Sequence, residues 1–351
     1  MVISSMADDL LLTQLLAGKV AALARAVSVV ENGRSGFEEL LAAIHPRLGR
    51  ARRIGITGPP GAGKSTLTER LVSAYRTAGL RVAVVAVDPT SPFSGGALLG
   101  DRIRMEQIAL DPGVYIRSMA TRGSLGGLAT ATREVCDLLD AAGFDRILVE
   151  TVGVGQSELD VARMADSTIL VLVPESGDGI QALKSGVMEI ADCFLVNKAD
   201  RPGADKVRRE VELALDLRMG KALRNMPAHH GALKSKAAAA PVDGHPSDDG
   251  WRAPVLLGVA AKGEGVEELI AALDRHWDWM ESSGALEQRR RERLAERTRE
   301  VVDRATRRWV WQESHAEDTI AARLDDVTAG QLSPYELAAE IVATLKEGAR
   351  V

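Results

Sequence analysis

The most constraining feature of this sequence is a short glycine-rich stretch. Residues 58–65 read Gly-Pro-Pro-Gly-Ala-Gly-Lys-Ser, which matches the pattern G-x-x-x-x-G-K-[ST] at every fixed position. The apolar run Ile54–Thr57 precedes it, and the helical pattern Leu67–Val72 follows it. A strand, a glycine-rich loop and a helix in this order place backbone N–H groups around a phosphate at a helix N-terminus. The stretch is therefore predicted to bind phosphate, and the alternative is a glycine-rich turn that arose by chance.

Each residue type in this stretch has a predicted role. A side chain on one of the glycines would block the phosphate or demand an unfavourable φ. Lys64 is expected to reach the β- and γ-phosphates, and the Ser65 hydroxyl is expected to bind Mg²⁺. The nucleotide-binding residues predicted here are Gly58, Gly61, Ala62, Gly63, Lys64, Ser65 and Thr66.

Short apolar runs alternate with helical stretches from residue 52 onward. The runs are Ile54–Thr57, Val82–Val87, Val114–Ile116, Ile147–Val149, Ile169–Val173, Phe194–Val196 and Val255–Val259. Several are continuously apolar, which is typical of strands covered by helices on both faces. The chain is therefore predicted to be an α/β protein with a doubly wound, mainly parallel sheet, the architecture of P-loop NTPases.

Helical patterns flank this central region. Apolar residues recur at helical spacing over residues 7–48, and the chain is read as helical again after Leu273. Near the end, Ser333-Pro334-Tyr335-Glu336 fits a helix start with a capping box. We predict an N-terminal helical region (1–50), a P-loop nucleotide-binding domain (51–280) and a C-terminal helical extension (281–351).

Composition limits the classes of partner. The net charge of −5 gives no reason to expect nucleic acid, and two distant cysteines argue against a disulfide framework or a thiolate metal site. No apolar run is long enough to span a membrane, and the N-terminus does not resemble a signal peptide. A cytoplasmic location is therefore expected. The Pro-, Gly- and Ala-rich residues 225–250 are read as a loop.

A second motif indicates the nucleobase. Asn197-Lys198-Ala199-Asp200 follows the apolar run Phe194–Val196. An Asp carboxylate at this place accepts both N–H donors of the guanine edge, whereas adenine presents a mismatched pattern. This favours GTP and GDP over adenine nucleotides. Ala260, Ala261 and Lys262 are expected to pass the far side of the base and to contribute backbone donors, an assignment that depends on position alone.

Three acidic residues are candidates for catalysis and for Mg²⁺ binding. Asp88 closes a predicted strand, Asp101 follows Gly100, and Glu150 ends another predicted strand. Carboxylates at the C-terminal ends of parallel strands lie in the crevice where this fold binds ligands, and Mg²⁺ prefers such hard oxygen ligands. The predicted metal ligands are Ser65, Asp88, Asp101 and Glu150, and the predicted catalytic residues are Lys64, Asp88, Asp101 and Glu150. Helix capping is the alternative role for Asp88 and Asp101.

The residues after Glu150 are predicted to form a switch. Gly153 would offer its N–H to the γ-phosphate, so that residues 150–158 respond to the nucleotide. Val154 stands where Ras-like enzymes carry the Gln that orients water, and Gln156 lies two positions further on. We therefore expect slow GTP hydrolysis by the isolated protein and acceleration by a partner.

These motifs together resemble one family. Val87-Asp88-Pro89-Thr90-Ser91-Pro92, the segments 95–101 and 150–158, and Gly177-Asp178 through Asp192 look like the MeaB/ArgK/MMAA group of P-loop GTPases. The resemblance covers about residues 50–350. It implies a homodimeric GTPase chaperone for an adenosylcobalamin-dependent acyl-CoA mutase, most often methylmalonyl-CoA mutase. It also implies that Lys64, Asp88, Asp101 and Glu150 form the active-site set and that residues 174–192 form a partner-sensing switch.

The sequence leaves several alternative functions and one alternative role for the C-terminal helices open. A GTPase that inserts nickel would be expected to carry a His-rich tract, whereas the chain has six histidines with only His229 and His230 adjacent. A small-molecule kinase would prefer ATP, and a secretion-targeting GTPase would need a Met-rich segment that we do not find. The Arg- and Glu-rich C-terminal helices are a candidate dimer contact, and a solvated face packed on the same chain is the alternative.

Overall fold

The computed structural model describes residues 6–88, 108, 110–120, 127–151, 157–174, 187–218 and 250–348. The chain divides into two compact units, residues 1–286 and 287–351. The first unit contains the sheet, and the second is helical over its described residues. The three-part division given above remains a prediction.

A parallel sheet forms the centre of the first unit. Its strands are β1 (Arg52–Thr57), β2 (Val82–Asp88), β3 (Val114–Ala120), β4 (Arg146–Thr151), β5 (Ser167–Leu172), β6 (Cys193–Val196) and β7 (Val255–Leu257). The seven strands lie in the order β3-β2-β4-β1-β5-β6-β7, and every neighbouring pair is parallel. Each predicted apolar run overlaps one of these strands, although Val173 lies beyond the end of β5 and Gly258 and Val259 lie beyond the end of β7. The predicted sheet is confirmed.

Helices cover both faces of this sheet. Over its described residues, the first unit has the helices α1 (Met6–Leu16), α2 (Val20–Glu31), α3 (Phe37–Ile44), α4 (Lys64–Thr77), α5 (Gly127–Ala141), α6 (Ser157–Met164), α7 (Ala204–Arg218) and α8 (Val266–Ser283). Strand β2 shows why its run is continuously apolar. Ala83 and Val85 join one hydrophobic cluster with α1, α2, α3, α5 and α6, whereas Val82 and Val84 join another with α4 and α8. Alternate side chains of the strand are thus buried on opposite faces.

The helical pattern after β7 starts earlier than predicted. We expected helix after Leu273, but α8 begins at Val266. Val266, Leu269 and Leu273 are all buried, with 6%, 0% and 4% of their surface exposed. They recur at helical spacing and share the core with α4. Glu267 and Glu268 interrupt the apolar letters but lie in the first turn, where acidic residues are favoured.

The second unit contains the remaining helices. Helix α9 (Ala285–Arg308) begins within the first unit and is followed by a π-helical turn (Trp309–Glu313), α10 (Ala316–Thr328) and α11 (Pro334–Gly348). The predicted capping box at the start of α11 is confirmed. The backbone N–H of Ser333 donates to Glu336 at 2.8 Å, and the N–H of Glu336 donates to Ser333 Oγ at 3.2 Å. The bond from the Ser333 N–H, followed by the interaction with the Ser333 hydroxyl, lowers the pKa of the Glu336 carboxyl. No helix among the described residues is both long and apolar enough to cross a membrane.

Candidate nucleotide-binding site

The glycine-rich loop joins the central strand β1 to helix α4. Gly58, Gly61 and Gly63 have φ values of +140°, +73° and +90°, a region that side chains other than hydrogen disfavour. A Cβ on Gly58 would meet the carbonyl of Val171, and a Cβ on Gly63 would meet the side chain of Asn197. The loop therefore lies too close to its neighbours for larger residues at two of the three positions.

Lys64 is the first residue of α4 and is buried. Its ammonium donates to the carbonyl oxygens of Gly58 at 2.8 Å and Pro59 at 3.0 Å. The positive charge is thus held against the loop that is predicted to enclose the phosphates. Ser65 and Thr66 follow in the first turn of the helix and are partly buried.

Glu150 reaches α4 from the neighbouring strand β4. Its carboxylate is 5% exposed and accepts hydrogen bonds from Ser65 Oγ at 2.6 Å and from Thr68 Oγ1 at 2.7 Å. The structure therefore brings together Ser65 and Glu150, two of the four predicted metal ligands. Thr68 was not anticipated, although its place one helical turn after Lys64 was a readable signal.

Asn197 links the phosphate loop to the base side of the candidate site, which consists of residues 197–200 and the turn Ala260–Lys262 after β7. It follows strand β6 and is 3% exposed. Its side-chain amide donates to the carbonyl of Ala62 at 2.7 Å, and its Oδ1 accepts the N–H of Ala260 at 2.9 Å. One buried side chain therefore holds the glycine-rich loop and the turn after β7 in a common arrangement.

Lys198 and Asp200 lie at the surface of the same segment. Lys198 has a φ of +56°, and its ammonium donates to the carbonyl of Gly61 at 2.8 Å. The Asp200 side chain is 42% exposed and forms an ion pair with Lys262 at 3.2 Å. An exposed carboxylate can still receive donors from a ligand. The sequence predicted only a backbone contribution from the segment of Lys262, and this ion pair of its side chain was not predicted.

Arg70 is a further residue that the motifs did not indicate. It lies on α4, and its Nε donates to the carbonyl of Ala260 at 3.1 Å. Its terminal nitrogen donates to the carbonyl of Ala261 at 2.7 Å. The short 3-10 turn Ala260–Lys262 is thus held from α4 as well as from Asn197.

Some predicted residues lie outside the described part of the chain. Asp88 is the last residue of β2, and only its backbone is described. Asp101 and Gly153 lie outside the described residues. Most of the predicted switches at 150–158 and 174–192, and nearly all of the predicted loop at 225–250, also fall there. Among the described residues, no group of three or more His, Cys, Asp and Glu side chains is placed to hold a metal ion.

The geometry defines a class of protein. Asn197 joins the phosphate loop to the segment that carries Asp200 and to the turn after β7. Proteins with this arrangement on a parallel sheet are P-loop GTPases.

Comparison with known proteins specifies the family. Residues 23–315 match the family model described as methylmalonyl Co-A mutase-associated GTPase MeaB, and this chain belongs to that family. It is a GTPase, which converts GTP and water to GDP and phosphate.

Individual relatives cover most of the chain. A Pyrococcus abyssi protein named as a GTPase is 47% identical over 84% of this chain and 83% of its own length. The mitochondrial methylmalonic aciduria type A homolog of Caenorhabditis elegans is 34% identical over 88% of this chain and 72% of its own. A crystal structure of a LAO/AO transport system kinase matches 99% of this chain and 100% of its own, with a TM-score of 0.63 and 28% identity.

Proposed function

We propose that this GTPase controls the loading of adenosylcobalamin onto an acyl-CoA mutase, and the protection or reactivation of that enzyme. Methylmalonyl-CoA mutase is the first candidate. The observation that carries the proposal is the match of residues 23–315 to a family named for association with this mutase. The similarity to the Caenorhabditis elegans homolog supports it, since that protein is named for methylmalonic aciduria.

The described residues supply the first part of a mechanism. In the proposal, the loop 58–65 encloses the phosphates, and Lys64 balances the charge of the β- and γ-phosphoryl groups. Its ammonium already lies against the loop carbonyls of Gly58 and Pro59. The preorganised positive charge stabilises the negative charge that develops as the γ-phosphoryl group leaves.

The donor set near Glu150 fits a magnesium ion. A hydroxyl and a carboxylate, 2.6 Å apart between Ser65 Oγ and Glu150 Oε1, are the hard oxygen ligands that Mg²⁺ prefers. We propose that Ser65 and Glu150 hold this ion, with Asp88 and Asp101 assigned from the sequence alone. When bound, Mg²⁺ neutralises phosphate charge. Glu150 keeps its orientation through the hydroxyl of Thr68.

Glu150 also provides the link to a partner. It is the next-to-last residue of β4, so a change in its surroundings is passed to the chain that follows, residues 151–158. We propose that the γ-phosphate orders this segment through Gly153 and that hydrolysis releases it. A partner that distinguishes the two states would do so with a coupling free energy of about 1–3 kcal/mol.

The proposal includes slow hydrolysis without the partner. Val154 follows Gly153 and has no group that can orient water. Turnover of GTP by the purified protein should therefore be slow and should increase when the mutase is added. Fast turnover by the protein alone, at saturating GTP, would contradict this part.

A homodimer is also part of the proposal, with the C-terminal extension as its contact. Helix α9 exposes apolar side chains that its own unit does not cover, including Leu294 at 46% and Val302 at 56% exposure. Substitution V302E should shift the protein from dimer to monomer in sedimentation equilibrium. R307E, which lies on the same helix and also adds negative charge, should leave the dimer intact. A monomeric wild-type protein, or no response to V302E, would overturn this part.

The central experiment measures binding to purified methylmalonyl-CoA mutase. The protein is loaded with GDP or with a non-hydrolysable GTP analogue, and the affinity for the mutase is determined by calorimetry. The two states should differ by about fivefold to 150-fold. Equal affinities, or no binding of the mutase in either state, would overturn the proposal.

Ligand-binding measurements distinguish the alternative functions that the sequence leaves open. A small-molecule kinase should prefer ATP to GTP, and a metallochaperone should bind its metal tightly. Burial raises the pKa of the Cys193 thiol to about 12, so this side chain stays neutral and is a poor metal ligand. Calorimetry with ATP, GTP and nickel would distinguish the three functions.

A further inference from the structure

The turn that is expected to meet the base is closed by its own backbone hydrogen bonds, from the N–H of Lys262 to Val259 at 2.8 Å and from the N–H of Gly263 to Ala260 at 3.1 Å. Its residues Ala260–Lys262 are followed by Gly263 and Gly265, both with a φ of +80°. Contacts from outside the turn attach it to the neighbouring elements. Asn197 supplies one such contact, through the N–H of Ala260 at 2.9 Å.

Arg70 supplies two more contacts from the opposite direction. Its guanidinium donates to two consecutive carbonyls, those of Ala260 and Ala261, at 3.1 Å and 2.7 Å. The guanidinium is planar and rigid, so two such bonds define the orientation of both peptide groups. The same arginine lies on the helix that begins with Lys64. It therefore connects the phosphate-binding helix to the turn on the base side.

The peptide geometry gives this contact a consequence for recognition. The carbonyl of Ala260 and the N–H of Ala261 belong to one planar trans peptide, in which they point in opposite directions. When Arg70 holds the carbonyl, the N–H of Ala261 is directed away from α4. We propose that Arg70 is a positioning residue that aims this N–H at the acceptor oxygen on position 6 of guanine. Adenine carries an amino group there, so a fixed donor favours guanine.

This inference rests on the proposed nucleotide site and adds a second determinant of base specificity. Asp200 accepts from N1–H and the 2-amino group in that site, whereas the Arg70-held turn donates to the 6-oxo group. The two determinants should be separable with base analogues. In 6-thio-GDP the 6-oxygen is replaced by sulfur, a weak acceptor, and in IDP the 2-amino group is absent.

The test measures affinities of the full-length protein for GDP, 6-thio-GDP, IDP and ADP by competition. R70A should weaken the binding of GDP about tenfold and the binding of 6-thio-GDP less than about threefold, since only GDP uses the positioned donor. The ratio of GDP to IDP affinity should stay within about twofold of wild type, because Asp200 is not held by Arg70. R70K keeps the charge but lacks the planar pair of donors, and its ratio of GDP to 6-thio-GDP affinity should be intermediate.

R76A is the matched control. Arg76 lies on the same helix and makes a similar two-bond contact, but to the Asp111 carboxylate, with both distances 2.9 Å. R76A should leave all affinity ratios unchanged. Equal weakening of GDP and 6-thio-GDP by R70A, or no weakening, would overturn the inference. If R70A does not fold, the ratio for R70K decides. A wild-type protein that binds ADP as tightly as GDP would instead overturn the proposed site.

Discussion

The phosphate side of the candidate site comes from one stretch of chain, residues 58–68, with Glu150 added from the adjacent strand. The base side is assembled from segments far apart in the sequence, since Asn197, Ala260 and Arg70 meet there. The difference has a physical basis. A phosphate can be held by the backbone of one loop, whereas a base edge needs donors and acceptors on more than one side. Substitutions should therefore affect the two sides differently.

The largest effect is expected on the phosphate side, from K64A. Removal of the ammonium takes away a preorganised charge beside the γ-phosphoryl group, so kcat for GTP should fall by about 10²–10³. Steady-state phosphate release measures this. The control K206A removes a lysine that is 79% exposed on α7 and should leave turnover unchanged. A K64A protein with near-normal turnover would refute the role assigned to this side.

On the base side, D200N should change which base is bound. Loss of the charged acceptor should weaken the binding of GDP about a hundredfold, because hydrogen bonds to charged groups contribute more binding free energy than bonds between neutral groups. The Asn amide can donate to the 2-oxo group of xanthine, so affinity for XDP should rise. Competition binding with GDP and XDP checks both changes. An unchanged preference for GDP would show that Asp200 does not contact the base.

A pair of glycine substitutions examines the junction between the two sides. In G63A the new methyl group would meet the Asn197 amide, which holds the loop and the base-side turn together. Affinity for GDP should drop about tenfold, since the strain of a positive φ for alanine adds to the displacement of Asn197. G61A has a similar φ of +73° but open space around the new methyl group. It should weaken the binding of GDP less than G63A does, because only the strain of the positive φ remains. Equal effects of the two substitutions would mean that Asn197 does not connect the sides.

The smallest effect is expected from T68V. Valine keeps the shape of threonine but removes one donor to the buried Glu150 carboxylate, which retains Ser65, so the free energy of unfolding should decrease by about 1 kcal/mol. Urea titration of the nucleotide-free protein measures it. T77V is the control, because the Thr77 hydroxyl bonds only to the exposed carbonyl of Ser73 on the same helix. A T68V protein as stable as T77V would contradict a supporting role for Thr68.

Much of the fold could be predicted, and particular residues show why. The runs around Ile54, Val84 and Leu148 became neighbouring strands, because continuous apolar letters bounded by helical patterns are typical of a parallel sheet. The capping box at Ser333 depends only on residues within one helical turn. The start of α8 was placed too late, since the acidic residues after Val266 obscured its buried face. Strand order required the tertiary structure.

In the candidate site too, features that depend on neighbouring residues could be predicted, whereas contacts between distant residues could not. By itself, the sequence determined that residues 58–65 form a glycine-rich loop between a strand and a helix, because neighbouring residues settle that geometry. Only the tertiary structure decided that the side chains of Arg70, Thr68 and Lys262 lie next to predicted site residues. No motif contains these side-chain contacts, and the partners are distant in the sequence and meet only when the chain folds.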